Sequence, residues 1–123
     1  MHSPSLRPVA DRLAAHVERR VRLAQPGRTQ LYAPALGRRV TSENEAAFVL
    51  GRQIATPSDW SSVLRAMEAD GCSRFAEVGP GDVLARMLRW TLRGARAAVL
   101  EDPASIGRFA GVPDPATRGE EPK

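Results

Sequence analysis

The sequence has little of what usually marks a membrane protein, a disulfide scaffold or an aromatic core. A single cysteine, Cys72, occurs in 123 residues, which excludes an internal disulfide and a cysteine-based zinc site. Aromatic residues make up only 5%, so the core has to be built from Leu, Val and Ala. No apolar run approaches the roughly 20 residues of a membrane span, and no basic-then-apolar signal segment opens the chain. These absences predict a soluble, cytoplasmic protein with no membrane partner.

The positive charge of the chain is almost entirely that of arginine. Only one of the 18 basic residues is a lysine, Lys123, and the net charge is +4. The arginines are spread along the chain, with a modest cluster at Arg86, Arg89, Arg93 and Arg96. Nucleic-acid binding is disfavoured because the chain has no repeated interleaving of aromatic stacking platforms with these arginines. Two interpretations of the cluster stay open: a solvated surface, or a docking surface for an acidic protein.

Hydrophobic spacing predicts four helices and two or three short strands. The helices are expected at about residues 5–23, 43–54, 58–70 and 82–93, and the strands at 29–33, 74–78 and 97–100. Residues 36–39 are typical of a turn, and Ser58 is the expected cap of the third helix. The second and third helices are expected to bury Phe48, Val49, Trp60, Val63, Leu64 and Met67.

Helices that alternate with strands indicate an α/β layer structure. Residues 1–110 are expected to fold, while Pro, Gly and charge predict a disordered tail over 111–123. Two or three short strands are too few for a sheet with both faces covered. The apolar stripes on the four helices therefore need a cover, which indicates that the chain is part of a larger fold.

Four features of the sequence suit chemistry, and each has a structural alternative. His2 is the leading candidate because histidine is the usual general base near neutral pH, and the alternative is a frayed terminal residue. His16 is interpreted as structural, and its spacing from His2 is not that of metal ligands. Cys72 is interpreted as an inert, partly buried thiol. The turn at 79–81 lies between a strand and a helix, which suits an anion, but it lacks the spacing of phosphate loops and is interpreted as structural.

Three short motifs follow one another along the chain. They are HSPSL at residues 2–6, RQI at 52–54 with Pro57 and Trp60 after it, and FAEVGPGDVL at 75–84. Together they resemble the C-terminal part of malonyl-CoA:acyl carrier protein transacylases and of the related acyltransferase domains of polyketide synthases. The resemblance covers about residues 2–110. It implies the C-terminal part of an α/β-hydrolase-like large subdomain, without the ferredoxin-like small subdomain of that family.

The resemblance implies roles for two residues. His2 falls on the family's general base, and Gln53 falls on the residue whose backbone carbonyl orients that base, so a main-chain oxygen replaces the usual carboxylate of a triad. The family's Gly-His-Ser-x-Gly segment, which holds its serine nucleophile, is missing from this sequence, and Arg7 stands where the family commonly has Met. No metal or cofactor is implied. The implied substrates are malonyl-CoA or a similar acyl-CoA, and the phosphopantetheine of a carrier protein.

The sequence supports two hypotheses about function. In the first, the chain is the C-terminal portion of a malonyl/acyl transferase of fatty acid or polyketide biosynthesis, either half of a split enzyme or the product of a truncated reading frame. It would supply His2, and another polypeptide with the N-terminal half would supply the serine. In the second, it is a non-catalytic, acyltransferase-derived module that docks a carrier protein or a partner subunit through apolar helix faces.

Overall fold

A computed structural model describes residues 3–20 and 29–111 of the chain. The chain divides into two compact units, an N-terminal unit Met1–Gly71 and a C-terminal unit Cys72–Lys123. The expected α/β class is confirmed in its coarse form, since the described residues are mostly helical and carry short strands. Within these residues, no helix is both long enough and apolar enough to cross a membrane. The expected tail at 111–123 lies outside the described residues apart from Gly111.

The N-terminal unit begins with the first predicted helix. A short 3-10 helix, Pro4–Leu6, leads into α1, Arg7–Arg20, and the Ser3 hydroxyl caps the start by accepting a hydrogen bond from the Ser5 N–H at 3.3 Å. The apolar stripe predicted for this helix is buried at Ala10, Ala14 and Val17. The prediction is wrong for Val9 and Leu13 of the same stripe, which are 43% and 37% exposed. The predicted last turn of this helix, residues 21–23, lies outside the described residues.

The second helix crosses the first at very short range. α2, Glu43–Arg52, starts at Ser42, whose hydroxyl accepts from the Glu45 N–H at 3.2 Å. A Cβ at Gly51 would lie 2.6 Å from the Cα of Ala14, so only glycine permits this approach. Val49 is buried as predicted, but the prediction for Phe48 is wrong, because its side chain is 42% exposed. Phe48 points about 100° away from Val49 around the helix and so leaves the core.

A hairpin precedes α2 where a strand and a turn were expected. β1, Tyr32–Ala33, pairs antiparallel with β2, Arg38–Arg39, so the first strand is shorter than predicted and the second half of the predicted turn is a strand. The amides of Leu36 and Gly37 both donate to the Ala33 carbonyl at 2.9 Å, which closes the turn. The small core beneath the hairpin contains Ala33, Val40 and Val49, with Leu36 and Ala46 against it.

The third helix completes the N-terminal unit. α3, Trp60–Ala69, is capped by Asp59 and not by the expected Ser58, because the Asp59 carboxylate accepts from both the N–H and the hydroxyl of Ser62, at 2.9 and 2.6 Å. Val63 and Leu64 are buried as predicted. Trp60 and Met67, expected in the same face, are only half-buried at its margin.

The C-terminal unit is a single βαβ crossover followed by a helix. β3, Phe75–Val78, and β4, Ala97–Leu100, are parallel, with Phe75 opposite Ala97 and Val78 opposite Leu100. The predicted fourth helix, α4, Val83–Thr91, connects them and buries Ala85, Leu88 and Leu92. A fifth helix, α5, Pro103–Ala110, was not predicted.

The signals that start α5 are present in the sequence. Asp102 accepts from the Ser105 N–H at 2.7 Å while the Ser105 hydroxyl accepts from the Asp102 N–H at 3.1 Å, which is a reciprocal capping box. Pro103 occupies the first turn, where its missing N–H costs nothing. The helix has only eight residues, too few for a clear apolar period, and this is why hydrophobic spacing missed it.

One carboxylate ties the hairpin to α2. Glu45 accepts from both terminal nitrogens of Arg38, at 2.6 and 3.2 Å, and from the N–H and hydroxyl of Thr41, at 2.7 and 3.0 Å. The hydrogen bond from Arg38, and then those from Thr41, lower the pKa of Glu45 to about 2 from an ordinary 4.5. The ionised carboxylate is therefore favoured by folding.

Replacing Glu45→Gln is expected to lower the free energy of unfolding at neutral pH. Folding lowers the pKa of Glu45. The difference in free energy of unfolding between the natural protein and the variant is therefore fully present above about pH 4.5, and it shrinks as the pH falls towards 2. Urea denaturation of both proteins between about pH 7 and pH 3 measures this difference. Glu43→Gln, in the same helical turn, is the control and is expected to have little effect. A difference that stays constant with pH would contradict the assignment.

Candidate active site

Of the two residues with implied catalytic roles, the structure describes Gln53, which belongs to the N-terminal unit. Gln53 opens a 3-10 helix, Gln53–Ala55, that continues directly from α2, and it is half-buried. The N–H of Ser3 donates to the carbonyl of Ile54 at 3.0 Å. His2 lies outside the described residues. The structure thus brings the residue that follows His2 in the chain next to the segment that holds Gln53, although the two motifs are far apart in the sequence.

The backbone carbonyl of Gln53 accepts a hydrogen bond from the Thr56 N–H at 3.2 Å. The Thr56 hydroxyl in turn donates to the Arg52 carbonyl at 3.0 Å. These bonds fix the direction of the main-chain oxygens at the end of α2.

An open cleft of about 370 Å³ lies between the start of α1 and the end of α2. Arg52 crosses it to bind Asp11 at 2.6 Å, with both side chains about half exposed. Sequence reasoning noted Arg7 only as a departure from the family and did not foresee the cleft, because helix spacing does not show which residues face a neighbouring helix end. The lining residues are Arg7, Ala10, Asp11, Phe48, Arg52, Ala55 and Thr56.

The turn at 79–81 has its anion-binding groups occupied by the protein itself. The carboxylate of Glu77 accepts from the N–H groups of Leu84 and Ala85, at 3.1 and 2.8 Å, in the first turn of α4. The Gly81 N–H is directed to Glu101 at 3.3 Å. These amides are the ones that a phosphate would use, so the turn is structural, as interpreted from the sequence. Gly79 and Gly81 have φ values of 128° and 96°, which strongly favour glycine.

The other sequence candidates are not brought together. His16 is exposed on α1. Cys72 is exposed in the loop before β3, so the interpretation of a partly buried thiol is wrong. Over residues 3–20 and 29–111, no cluster of three or more His, Cys, Asp or Glu side chains is arranged to hold a metal ion.

The arginine cluster of the C-terminal unit surrounds an exposed tryptophan. Trp90 on α4 is 89% exposed, and sequence reasoning overlooked it as the one aromatic residue among these arginines. Arg86 pairs with Asp82 at 3.3 Å, whereas Arg89 and Arg96 form no ion pair with any described residue. Both line an open cleft of about 490 Å³ with Ala85, Gly94, Ala95 and Ala97. The lining contains no acidic residue, so the cleft is positively charged.

Solved structures of transacylases match this chain in fold. A malonyl-CoA:acyl carrier protein transacylase from Xanthomonas oryzae pv. oryzae is 24% identical, with a TM-score of 0.72 over 89% of this chain and 33% of its own. The corresponding enzyme (MCAT) from Streptococcus pneumoniae is 25% identical, with a TM-score of 0.77 over 89% of this chain and 35% of its own. A type II PKS acyl-carrier protein in complex with its malonyl-transacylase gives 24% identity, a TM-score of 0.77 and the same coverages. No protein-family model matches the sequence, and comparison with curated proteins finds no match.

By these matches, the described part of the chain has the fold of a helix-rich fragment of an acyltransferase. More particularly, the matched structures are malonyl-CoA:acyl carrier protein transacylases, so the resemblance stated from the three motifs is confirmed. The chain spans about a third of the length of the structures it matches. This share is consistent with a C-terminal portion.

Removal of the Glu77 carboxylate is expected to destabilise the C-terminal unit. Glu77→Ala leaves two helix-end amides without their acceptor, which costs about 1–2 kcal/mol in the free energy of unfolding. Glu77→Gln is expected to cost less, because one amide oxygen still accepts. Glu101→Gln is the matched control, since its single long bond to Gly81 contributes little. Chemical denaturation followed by the tryptophan signal measures all three, and equal effects at positions 77 and 101 would disprove the capping role.

Proposed function

We propose that the chain forms the C-terminal part of the α/β-hydrolase-like large subdomain of a malonyl/acyl transferase. In this proposal, His2 is the general base and the backbone carbonyl of Gln53 orients it. The observation that carries the proposal is the hydrogen bond from Ser3 to Ile54, because it holds the residue after His2 beside Gln53. The fold shared with transacylases supports the same assignment. The serine nucleophile, the oxyanion donors and the ferredoxin-like subdomain belong to a part of the fold outside residues 1–123.

The proposed reaction is a two-step acyl transfer. His2 takes the proton of the serine hydroxyl as the serine oxygen attacks the thioester carbonyl of malonyl-CoA, and CoA then leaves as the thiol. In the second step, the thiol of carrier-bound phosphopantetheine attacks the acyl-serine while His2 takes its proton. The serine then leaves as its hydroxyl and the new thioester forms. The orienting carbonyl keeps the imidazole in the tautomer that can accept a proton.

The proposed protein substrate is an acyl carrier protein. One matched structure is a malonyl-transacylase in complex with a carrier protein of a type II PKS. Arg89 and Arg96 have no ion-pair partner in the described part of the chain, and they line a cleft without acidic residues there. They therefore suit the negative charge of a carrier protein or of the CoA phosphates. Neither a metal nor a cofactor takes part in the proposed reaction. The choice between fatty acid and polyketide biosynthesis depends on which carrier protein is the partner.

A docking module remains the second candidate, and one observation favours it. Trp90 exposes 89% of its surface beside Arg89 and Arg93, and aromatic and arginine side chains together are typical of protein-binding surfaces. A docking module needs this surface but not His2. The two functions therefore differ in their response to substitution of His2.

Replacing His2→Ala is expected to slow malonyl transfer by about 10²- to 10⁴-fold in a complex that contains the serine-bearing part of the enzyme, because the general base is lost. Transfer of labelled malonyl groups from CoA to a carrier protein measures the rate. His16→Ala is the matched control and is expected to transfer at the natural rate. The chain alone is expected to remain unlabelled, since it lacks the nucleophile. An undiminished rate in the His2 variant would exclude the catalytic role and favour the docking module.

Reversing charge in the arginine-lined cleft is expected to weaken carrier-protein binding. Arg89→Glu and Arg96→Glu should each raise KM for the carrier protein by about tenfold, with kcat little changed, and the effect should shrink as salt is added. Steady-state kinetics at two salt concentrations give this comparison. Arg65→Glu, an exposed arginine on α3, makes the same charge change outside the cleft and is the control. If KM rises equally in all three variants, net charge rather than the cleft governs binding.

A further inference from the structure

Thr56 makes two hydrogen bonds to the turn that contains Gln53. Its N–H donates to the Gln53 carbonyl at 3.2 Å, and its hydroxyl donates to the Arg52 carbonyl at 3.0 Å. The two acceptors are successive carbonyls of the chain, at the last residue of α2 and the first residue of the 3-10 helix. One half-buried residue therefore binds both main-chain oxygens at this end of α2.

The local backbone explains why the hydroxyl is needed. In a regular α-helix, the N–H of Thr56 would donate four residues back, to the Arg52 carbonyl. Thr56 has extended backbone instead, with φ −111° and ψ 135°, because the following Pro57 disfavours the helical region. Its N–H donates three residues back, to Gln53, and its hydroxyl takes the place of an amide at the Arg52 carbonyl. Without the hydroxyl, the two carbonyls would compete for the same N–H.

The residue after Gln53 is tied to the segment before α1. The Ile54 carbonyl accepts from the Ser3 N–H at 3.0 Å. This contact holds the peptide group that follows Ile54, and not the one that carries the Gln53 carbonyl. That carbonyl is restrained by the N–H of Thr56, so its direction depends on where the Thr56 N–H points.

We propose that Thr56 is a positioning residue, whose hydroxyl holds the Gln53 carbonyl in the direction that selects the tautomer of the His2 imidazole. This inference rests on the proposed function, in which that carbonyl accepts the Nδ1 proton of His2 and leaves Nε2 to take the proton of the serine. Thr56 acts through Gln53. A carbonyl turned away from His2 would favour the tautomer with its proton on Nε2, which cannot accept another proton at that atom.

A purely structural role of the hydroxyl is the competing interpretation. A threonine hydroxyl at a helix end stabilises the fold whatever the reaction. A structural role changes the free energy of unfolding alone, whereas a positioning role also changes the ratio of the two His2 tautomers. Thr41 offers a matched structural control, because its hydroxyl donates to Glu45 at 3.0 Å in the same unit but away from Gln53.

The test measures the tautomer of His2 in the chain labelled with ¹⁵N-histidine. The ¹⁵N chemical shifts of the imidazole at about pH 8.5, where histidine is neutral, give the ratio of the Nδ1–H form to the Nε2–H form. His2 is expected mainly in the Nδ1–H form, and Thr56→Val is expected to lower this ratio about three- to tenfold, the effect of one hydrogen bond. Thr56→Ser, which keeps the hydroxyl, and Thr41→Val are expected to stay within about twofold. His16, exposed on α1, is the internal reference.

An unchanged ratio in Thr56→Val, or an equal fall in Thr41→Val, would overturn the proposal and leave the proposed function standing. A natural chain in which His2 has the same tautomer ratio as His16 would reject the orienting role of Gln53, and the role of Thr56 with it. The expected tautomer pattern, combined with undiminished malonyl transfer by His2→Ala, would support the positioning role of Thr56 and reject the proposed function alone.

Discussion

The close approach of α1 to α2 at Ala14 and Gly51 is the constraint on which the candidate active site depends. A Cβ at Gly51 would lie 2.6 Å from the Ala14 Cα, a distance that real side chains do not reach, so the helices meet backbone to backbone. This contact places the 3-10 helix before α1 beside the 3-10 helix after α2. The Ser3 amide can then reach the Ile54 carbonyl. The exposed Arg52–Asp11 pair follows the same contact and adds little stability of its own.

The C-terminal unit shows why a motif can be recognisable without being catalytic. Glu77 acts as the cap of α4 from the preceding strand, because the helix's own Asp82 makes no side-chain cap bond. Gly79 and Gly81 have positive φ values in the turn between β3 and α4, and such values favour glycine. The residues of the Glu-Val-Gly-Pro-Gly motif are therefore explained by the geometry of a strand that turns into a helix. The Glu77 carboxylate of this motif already accepts hydrogen bonds from the Leu84 and Ala85 amides of α4.

Much of the fold could be predicted from the sequence because its helices are amphipathic and well separated. Hydrophobic spacing found α1 to α4 and the strands β3 and β4 to within a few residues. It failed where the signal is local or tertiary. The eight residues of α5 are too short for a period, and β2 consists of two arginines whose pairing with β1 depends on the turn. Phe48 was misplaced because the sequence does not show which helix approaches α2, or how closely.

The resemblance predicted which residues belong to the candidate site, but not the contacts between the segments that hold them. The resemblance implied roles for His2 and Gln53, which stay predictions, but the sequence could not show that Ser3 and Ile54 are hydrogen-bonded, since that contact joins distant segments. Nor could it show that Arg7 lines a cleft, or that Glu77 occupies the amides of a would-be phosphate site. Each of these depends on how two elements approach one another, and neither periodicity nor composition contains that information.

In the C-terminal unit, the polar groups at the helix starts are hydrogen-bonded, whereas some large apolar side chains are exposed. The helix starts are capped from within: α4 by Glu77, and α5 by Asp102 and Ser105. Within the described residues, no buried side-chain polar atom lacks a partner. The apolar surface, by contrast, is open at Val78 and Trp90. Since apolar burial is the main favourable term in folding and association, the open surfaces are where binding of another polypeptide yields the most free energy.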